Sequence, residues 1–264
     1  MEFPKNVVWI TGASSGIGEA LAYEFNKKGT NLILSSRRTD ELMRVKEACY
    51  NHEDTVKILP LDLSATDKLP DKVQKAVSLF GSVDMLINNG GISQRAYASE
   101  SSMETIRNLM EVNFFGTIAL TKAVLPFMID QKSGHIVVIS SVMGKLGTRH
   151  RSAYAASKHA LHGWFDCLRQ EMYEYNIDVS LVCPGFVKTN ITVNALTADG
   201  EKYARMEDAQ RKAMSAEDFA RKLIPKLAKR KEEIYIGGYE IMAVYMKRFF
   251  PGALNKILRR AKVT

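Results

Sequence analysis

Cysteine is scarce in this sequence of 264 residues. Its three cysteines, Cys49, Cys167 and Cys183, show no paired spacing. That pattern indicates neither a disulfide framework nor a cysteine-based metal site. We therefore expect reduced thiols that fill the core of a cytoplasmic protein.

Long apolar runs and linker-like tracts are also missing. No run approaches the ~18 residues that a membrane-spanning helix needs. The first predicted strand starts close to Met1, so we expect no signal peptide before the fold. There is no Pro-rich or Gly/Ser-rich tract and no internal repeat, which argues against a division into separate domains. An apolar fraction of 46% is enough to build one large core.

Acidic residues are absent from the end of the chain. Residues 1–200 hold 21 basic and 21 acidic residues, whereas residues 201–264 hold 16 and 8 and so carry the whole net charge of +8. From Ile241 onward, six basic residues and no acid are mixed with apolar side chains. Such a segment can contact an anionic membrane surface, or it can pack on a second subunit or on the core. Nucleic acid is disfavoured because no known binding module accompanies the charge.

Short apolar runs alternate with longer helical stretches along the chain. Strands are predicted at Asn6–Thr11, Asn31–Ser35, Thr55–Leu59, Val83–Asn88, His135–Ser140, Ile177–Cys183 and Glu233–Gly237. Helices are predicted at Gly16–Lys28, Thr39–Tyr50, Asp67–Phe80, Met103–Gln131, Ser152–Tyr175 and Ser215–Ala228, with a break near Asn113. The pattern predicts an α/β fold: a Rossmann-type doubly wound parallel sheet of about seven strands flanked by helices, in a single domain. Ligands of such sheets bind beyond the carboxyl ends of the strands.

A glycine-rich segment follows the first predicted strand. Residues 11–18 read T-G-A-S-S-G-I-G and lead into the first helix. Glycines at Gly12, Gly16 and Gly18 let the backbone turn tightly and approach a diphosphate, whose charge is favoured at a helix N-terminus. We interpret this segment as a phosphate cradle.

Ser141, Tyr154 and Lys158 form a second pattern, with thirteen residues from Ser to Tyr and four from Tyr to Lys. Tyr154 and Lys158 share one helix face. A tyrosine acts as a general acid or base near neutral pH only if its pKa falls below the usual ~10. We expect the charge of Lys158 to lower it. A second Tyr-x-x-x-Lys, at Tyr23 and Lys27, has no serine upstream and is interpreted as an ordinary helix face.

The glycine spacing combined with the Ser, Tyr and Lys pattern resembles the short-chain dehydrogenase/reductase family, single-domain type of about 250 residues, over about residues 5–240. The resemblance implies that Tyr154 is the general acid/base and that Ser141 orients the substrate oxygen. Lys158 would bind the ribose hydroxyls, and Asn113 would help to hold a proton-relay water. Ser140 is a competing serine, but the spacing favours Ser141. The histidines lack metal-ligand spacing, so no metal site is predicted.

The resemblance also implies a set of residues that contact a dinucleotide. They are Gly12, Ser14, Ser15, Gly16, Ile17, Gly18, Ser36, Arg37, Arg38, Asp62, Leu63, Asn89, Gly90, Tyr154, Lys158, Pro184, Gly185, Val187 and Thr189. Gly90 departs from the family, which has alanine there, and we expect a looser turn.

The end of the second predicted strand bears on cofactor choice. NAD-dependent enzymes usually carry an acidic residue about 20 positions after the glycine loop. Here Ser36 occupies that position, followed by Arg37 and Arg38. An arginine fork can hold a 2′-phosphate, so NADP(H) is favoured over NAD(H). Alternatively, both arginines are solvated residues at the start of the next helix.

Residues 186–213 show no strand pattern and correspond to the family's substrate lid. The lid offers apolar side chains at Phe186, Ile191, Val193, Leu196, Tyr203 and Met206, while Met143 and Leu146 follow Ser141. We take Ser141, Met143, Leu146, Tyr154 and Phe186 as the candidate substrate site for a hydrophobic carbonyl or alcohol. The lid residues could equally seal the lid onto the core.

The resulting prediction is an NADP(H)-dependent oxidoreductase that transfers a hydride between nicotinamide and a carbonyl or secondary alcohol. A catalytically idle NADP-binding regulatory or scaffold protein is the alternative, and a sugar-nucleotide epimerase fits the glycine spacing poorly. We place the catalytic domain at 1–240 and a basic amphipathic extension of the same domain at 241–264. Family members commonly pair through helices, which implies a homodimer or homotetramer.

Overall fold

Seven parallel strands form one sheet in the computed structural model, which describes residues 5–205 and 213–260. They are β1 (Val7–Thr11), β2 (Asn31–Ser35), β3 (Val56–Ile58), β4 (Met85–Asn88), β5 (Gly134–Ile139), β6 (Ile177–Pro184) and β7 (Glu233–Ile236). Their order is β3-β2-β1-β4-β5-β6-β7, and each neighbouring pair is parallel. The strand order reverses between β1 and β4, which creates the switch point where ligands bind in such sheets.

Helices connect the strands. They are α1 (Gly16–Asn26), α2 (Thr39–Glu47), α3 (His52–Thr55), α4 (Leu69–Phe80), α5 (Met103–Met110), α6 (Gly116–Gln131), α7 (Ser152–Glu171), α8 (Ala216–Ala228), α9 (Met242–Phe249) and α10 (Pro251–Arg260). The predicted Rossmann-type α/β architecture is therefore confirmed. The predicted helix Thr39–Tyr50 is shorter than expected: it ends at Glu47, and Asn51, in a left-handed conformation (φ 48°), precedes α3.

The sheet separates two apolar layers, and alternating residues of each strand enter opposite layers. In β1, Val8 and Ile10 pack with α1 and α8 on one face, whereas Val7 and Trp9 pack with α4, α6 and α7 on the other. The indole nitrogen of Trp9 donates a hydrogen bond to Ser35 Oγ (2.8 Å), which satisfies its polar atom in the core. Burial on both faces explains why the strands are nearly continuous apolar runs.

Helical structure continues through the predicted break near Asn113. A π-helical turn at Glu111–Phe115 joins α5 to α6, so the prediction of a broken helix is corrected to a bulge. The stretch Met103–Gln131 is, by length and composition, apolar enough to cross a membrane, and 44% of its most apolar window is buried. The expectation of no such segment was therefore wrong, although a core helix passes the same test.

The cysteines follow the prediction only in part. All three are unpaired, and Cys49 and Cys183 are buried. Cys167 on α7 is exposed, so the expectation that it fills the core was wrong. This position lies on the side of α7 away from the sheet, a feature that residue type alone does not reveal.

The basic segment at the end of the chain folds into α9 and α10. Leu254 anchors it, with 2% of its surface exposed. A guanidinium nitrogen of Arg149 also donates a hydrogen bond to the main-chain oxygen of Arg259 (2.9 Å). These contacts hold the segment against the loop that follows β5.

Gly116, at the start of α6, provides a test of the packing. A Cβ at this position would lie 2.2 Å from the main-chain oxygen of Leu63. Because backbone cannot yield as a side-chain tip can, we expect Gly116→Ala to lower the free energy of unfolding by about 1–3 kcal/mol. Denaturant titration measures the change.

Gly163 on α7 is the matched control. A Cβ there would meet no atom within 4 Å. Gly163→Ala should therefore be neutral or stabilising by roughly 0.5–1 kcal/mol, because alanine favours the helix. Equal effects of the two substitutions would contradict the packing described here.

Candidate active site

The carboxyl ends of β1, β4, β5 and β6 surround a cavity of about 390 Å³. Its lining includes Ser141, Tyr154 and Lys158 from the second pattern, Ile17 and Asn89 from the glycine-loop side, and Pro184 to Val187 after β6. Segments far apart in the sequence thus converge at the switch point of the sheet. This is where the fold places ligands.

The glycine loop is tied to the end of β4. Gly12 has φ 64°, and a Cβ there would lie 2.9 Å from both the side-chain nitrogen of Asn89 (Nδ2) and the Gly90 Cα, so only glycine fits. The Asn89 side chain donates hydrogen bonds to the main-chain oxygens of Thr11 (2.9 Å) and Gly12 (3.2 Å). The Thr11 hydroxyl accepts from the amides of Asn89 and Gly90 (3.0 and 2.9 Å). These bonds hold the turn that we expected Gly90 to loosen.

Basic side chains flank the glycine loop on the β2 side. The Arg38 guanidinium donates to the hydroxyls of Ser14 (3.0 Å) and Ser15 (3.1 Å). Arg37 instead acts on Asp62: the pKa of that carboxyl is lowered, because hydrogen bonds from Ser64 and the charge of Arg37 outweigh the opposing effect of burial. Both arginines therefore face the predicted dinucleotide residues, with Arg38 nearer to the loop.

Ser141 rather than Ser140 is the serine that reaches Tyr154. Ser141 follows β5 in an extended conformation, and its side chain is close enough to Tyr154 to oppose the rise of that phenol's pKa. Its oxygen also accepts from the amide of Met143 (3.1 Å), which starts the 3₁₀ turn Val142–Gly144. Ser140 is buried and bonds to His162 instead (3.1 Å).

The phenol of Tyr154 is buried, with 8% of its surface exposed. Burial raises the pKa of Tyr154 above its usual value, and the Ser141 hydrogen bond and the charges of Arg151 and Arg95 oppose that rise. We expected Lys158 to lower the pKa of Tyr154, but in the protein without a ligand this pKa is raised. Desolvation outweighs the nearby cations.

Lys158 lies beneath Tyr154 on α7. Its ammonium is 5.8 Å from the centre of the Tyr154 ring and donates to the main-chain oxygen of Ile139 (2.8 Å). Burial lowers the pKa of Lys158 to about 8. Since the lysine has few polar partners in this position, its charge is available to a ligand in the cleft.

Asn113 is held in the π-helical turn close to Lys158. Its amide exchanges hydrogen bonds with the main chain of Ile92 (2.8 and 2.9 Å) and donates to Ser157 Oγ (3.0 Å). A Cβ on Gly91 would lie 3.0 Å from Asn113 Oδ1 and 3.8 Å from Lys158 Nζ. Gly91 therefore leaves open the space between these two groups, a role that the sequence analysis did not assign.

The second Tyr-x-x-x-Lys pair has a different environment. Tyr23 donates a hydrogen bond to Glu19 (2.8 Å), and burial together with that carboxylate raises its pKa to about 12. Lys27 is paired with Glu24 (2.7 Å). This pair does not line the cleft, in agreement with its interpretation as a helix face.

The predicted substrate residues lie in one cleft. Met143, Leu146 and Phe186 line it together with Ser141 and Tyr154. From the lid, Ile191 lines the cleft as well, whereas Val193, Leu196 and Tyr203 lie outside its lining, and Leu196 instead pairs with Gln94 and Lys202. Met206 lies outside the described residues.

Several cleft residues were missed by the sequence analysis. Arg95 and Arg151, both more than nine-tenths buried, line it beside Tyr154. The basic segment supplies a whole wall, formed by Met242, Ala243, Met246, Leu254, Ile257 and Leu258. The apolar spacing of this segment was visible, but its partner surface was not.

Glu240 connects that wall to the loop after β6. Its carboxylate accepts hydrogen bonds from the amides of Phe186 (2.8 Å) and Gly238 (2.9 Å). A Cβ on Gly185 would lie only 1.9 Å from the same carboxylate oxygen, so Pro184-Gly185 is more than a chain reversal. The glycine makes room for the acid that fixes the C-terminal segment.

These residues fit a nicotinamide dinucleotide. Gly12 and Gly18 let the glycine loop pack tightly against Asn89, because a Cβ at either position would meet the Asn89 side chain. Asn89, Lys158 and Thr189 place polar groups along the cleft. A dinucleotide bound here would supply or accept a hydride next to Tyr154.

The chain matches the short chain dehydrogenase family over residues 6–200. It is 39% identical over 267 aligned positions to the Dehydrogenase/reductase SDR family protein 7-like of Drosophila melanogaster, covering 99% of this chain and 82% of that protein. It is 40% identical over 256 positions to the human Dehydrogenase/reductase SDR family member 7, covering 95% and 76%.

A solved short chain dehydrogenase/reductase from Burkholderia phymatum, in complex with NAD, has the same fold. Its TM-score is 0.83 at 25% identity, covering 100% of this chain and 98% of that one. The chain therefore belongs to the short-chain dehydrogenase/reductase family. It is an oxidoreductase of the kind that binds a nicotinamide cofactor and acts on a small molecule.

Proposed function

We propose that this protein is an NADPH-dependent reductase of hydrophobic ketones or aldehydes. The observation that carries the proposal is the buried Tyr154 phenol, which lines a mainly apolar cleft together with Ser141 and Lys158. The phenol carries its proton at neutral pH, and Ser141 and the charges of Arg151 and Arg95 oppose the rise of its pKa that burial causes. Reduction of a carbonyl needs such an acid, whereas oxidation of an alcohol needs a base.

The residues divide the work of carbonyl reduction. When bound, the nicotinamide supplies the hydride. Ser141 Oγ accepts from the Met143 amide, which leaves its hydrogen to bond the substrate oxygen. Tyr154 gives its proton to the oxygen as negative charge develops there, and Lys158, beneath the ring, stabilises the phenolate that remains. The space beside Gly91, between Asn113 and Lys158, could hold a water molecule that returns a proton to Tyr154 after each reaction.

Tyr154→Phe tests the assignment of the acid. It keeps the ring but removes the proton donor, so NADPH oxidation with apolar ketones, aldehydes, steroids and retinoids should fall by about 10²–10⁴-fold. Absorbance at 340 nm follows the reaction.

Tyr23→Phe is the matched control and should leave the rate unchanged, since that tyrosine lies outside the cleft. If the wild-type protein binds NADPH but reduces no carbonyl in the panel, an idle NADP-binding regulator is favoured instead.

The preference for NADPH rests on charge at the end of β2. Ser36 supplies no carboxylate to repel a 2′-phosphate, and the side chains of Arg37 and Arg38 are both exposed. The hydrogen bonds of Arg38 to Ser14 and Ser15 place its guanidinium over the loop. An arginine fork so placed matches the geometry of a phosphate.

Arg37→Ala and Arg38→Ala should each raise the Michaelis constant for NADPH about tenfold, because a hydrogen bond to a charged group contributes roughly 1.5–3 kcal/mol. The constant for NADH should change little. Arg44→Ala is the control, since Arg44 is neutralised by Glu19 and Glu41. Equal effects on the two cofactors would contradict the assignment.

Pairing of two or four copies is a further part of the proposal. On the π-helical turn and α5, Phe115 and Met103 are exposed at 46% and 57%. Less than half of the most apolar window of Met103–Gln131 is buried within one chain. A second copy packed on this helix, and on α7 beside it, would cover that surface. Light scattering should give a mass of two or four chains.

We also propose that residues 241–264 are an extension of the 1–240 catalytic domain that touches an anionic membrane surface. The described part exposes Tyr245, Phe249 and Phe250 beside Lys247 and Arg248. Apolar and basic side chains on one surface favour the interface of anionic lipid. The unpaired cysteines suit a reducing compartment, so the protein would work on a cytoplasmic face.

A triple charge reversal tests the membrane contact. Lys247→Glu, Arg248→Glu and Lys256→Glu should weaken co-sedimentation with phosphatidylserine vesicles on the order of 100-fold, because each basic residue contributes about 1 kcal/mol. Neutral vesicles should bind neither protein.

The control carries the same change of net charge on other surfaces, at Lys68, Lys75 and Lys122, and should bind as the wild type does. No binding of the wild-type protein would remove the membrane contact and favour packing on a second subunit.

A further inference from the structure

A second serine–histidine contact lies directly behind the candidate site. Ser140 Oγ is 3.1 Å from His162 Nε2, and both side chains are buried. The other ring nitrogen of His162, Nδ1, has no hydrogen-bond partner among the described residues and lies 3.7 Å from a carboxylate oxygen of Glu233. The imidazole of His162 on α7 thus lies between Ser140, which follows β5, and Glu233 at the start of β7.

Glu233 is itself held in place. Its carboxylate accepts from Tyr235 OH (2.8 Å) and from the Lys145 ammonium. The nearby His162 ring, with the hydrogen bonds from Lys145 and Tyr235, holds the pKa of Glu233 well below its usual value, although burial opposes this effect. Glu233 therefore remains an anion to which both His162 and Lys145 are attracted.

The short turn that carries Ser141 is attached to this cluster at both ends. Ser140 precedes it and contacts His162, whereas Lys145 follows it and contacts Glu233. In the middle, a Cβ on Gly144 would lie 2.6 Å from Ser140 Oγ and 2.8 Å from the imidazole. The turn is therefore packed directly on His162.

The same cluster reaches Lys158 from behind. Cys183 Sγ lies 3.6 Å from His162 Nε2, and burial raises the pKa of this thiol to about 12, so it is uncharged there. Lys158 bonds to the main-chain oxygen of Ile139, the residue next to Ser140. A displaced Ser140 would move both the Ser141 hydroxyl and the acceptor of Lys158.

We propose that His162 and Glu233 are positioning residues for the reaction, and that they clamp the Ser140–Lys145 turn so that Ser141 and Lys158 keep their places around Tyr154. Neither touches the substrate, so they act through Ser140 and Lys145. The expected effect on the reaction rate rests on the proposed function. The clamp itself is a property of the fold and does not depend on that function.

The test compares His162→Phe with His162→Gln. Phenylalanine fills the space without the Ser140 bond, and a small displacement of a catalytic group can cost about 10²-fold in rate. We expect kcat to fall about tenfold or more, with a much smaller rise in the dissociation constant of NADPH. Glutamine can restore a polar contact to Ser140 and should recover most of the rate. Glu233→Ala should resemble His162→Phe.

His135→Phe is the matched control. His135 is also a buried histidine bonded to a serine, with Nε2 2.8 Å from Ser180 Oγ. It lies near the start of β5, whereas Ser141 follows the end of that strand. Its substitution should lower the melting temperature and leave kcat unchanged. If it lowers kcat as much as His162→Phe does, the effect is a general loss of stability and the proposal is overturned.

Amide hydrogen exchange gives a readout that does not need turnover. The amides of Met143, Gly144 and Leu146 bond within the turn, so His162→Phe and Glu233→Ala should speed their exchange, whereas His135→Phe should not. Unchanged exchange would overturn the clamp. If exchange is faster in these two variants but the wild-type protein reduces no carbonyl, the clamp is supported and the proposed reductase is rejected.

Discussion

The hydrogen bond from Lys158 to the main-chain oxygen of Ile139 joins α7 to the end of β5, and the site is arranged around it. It fixes the lysine beneath Tyr154 and beside the space that Gly91 leaves open. It also ties the helix to the strand end that carries Ser141. A buried ammonium with so few partners is costly to the fold, which explains why burial lowers the pKa of Lys158 to about 8.

That cost suits a site that receives a ligand. A charge only partly satisfied by the protein can be completed by ribose hydroxyls and by developing negative charge on the substrate. Tyr154 shows the opposite balance: burial keeps its proton on, and Arg95 and Arg151 limit the rise of its pKa. The Tyr154 phenol is therefore protonated before the reaction starts, as the acid of a carbonyl reduction must be.

The fold and the local motifs followed from the sequence because they depend on short-range rules. Apolar strands buried on both faces and the glycine loop after β1 can be recognised within a few residues. The pairing of Tyr154 with Ser141 also agrees with its spacing. The bulge at Asn113 was misjudged as a break, since a π-helical turn keeps the hydrogen bonding of the helix continuous.

The parts that sequence reasoning missed depend on distant contacts. Met246 and Leu254 belong to a segment that showed only an apolar and basic composition, and its role as a cleft wall depends on where Glu240 attaches it. Likewise, no spacing rule joins Ser140 to His162 and Glu233, because three different elements bring them together. The pKa of Tyr154 was misjudged because the extent of its burial follows from the completed fold.

The central claim is that this cleft transfers a hydride from NADPH to a carbonyl carbon. Its most direct test uses NADPH deuterated at C4, with each stereoisomer supplied separately, and mass spectrometry of the alcohol formed. The account predicts one deuterium on the carbinol carbon with one stereoisomer and none with the other, because a nicotinamide bound in a single orientation would present only one of its faces to the substrate. Product without deuterium from either stereoisomer would contradict it.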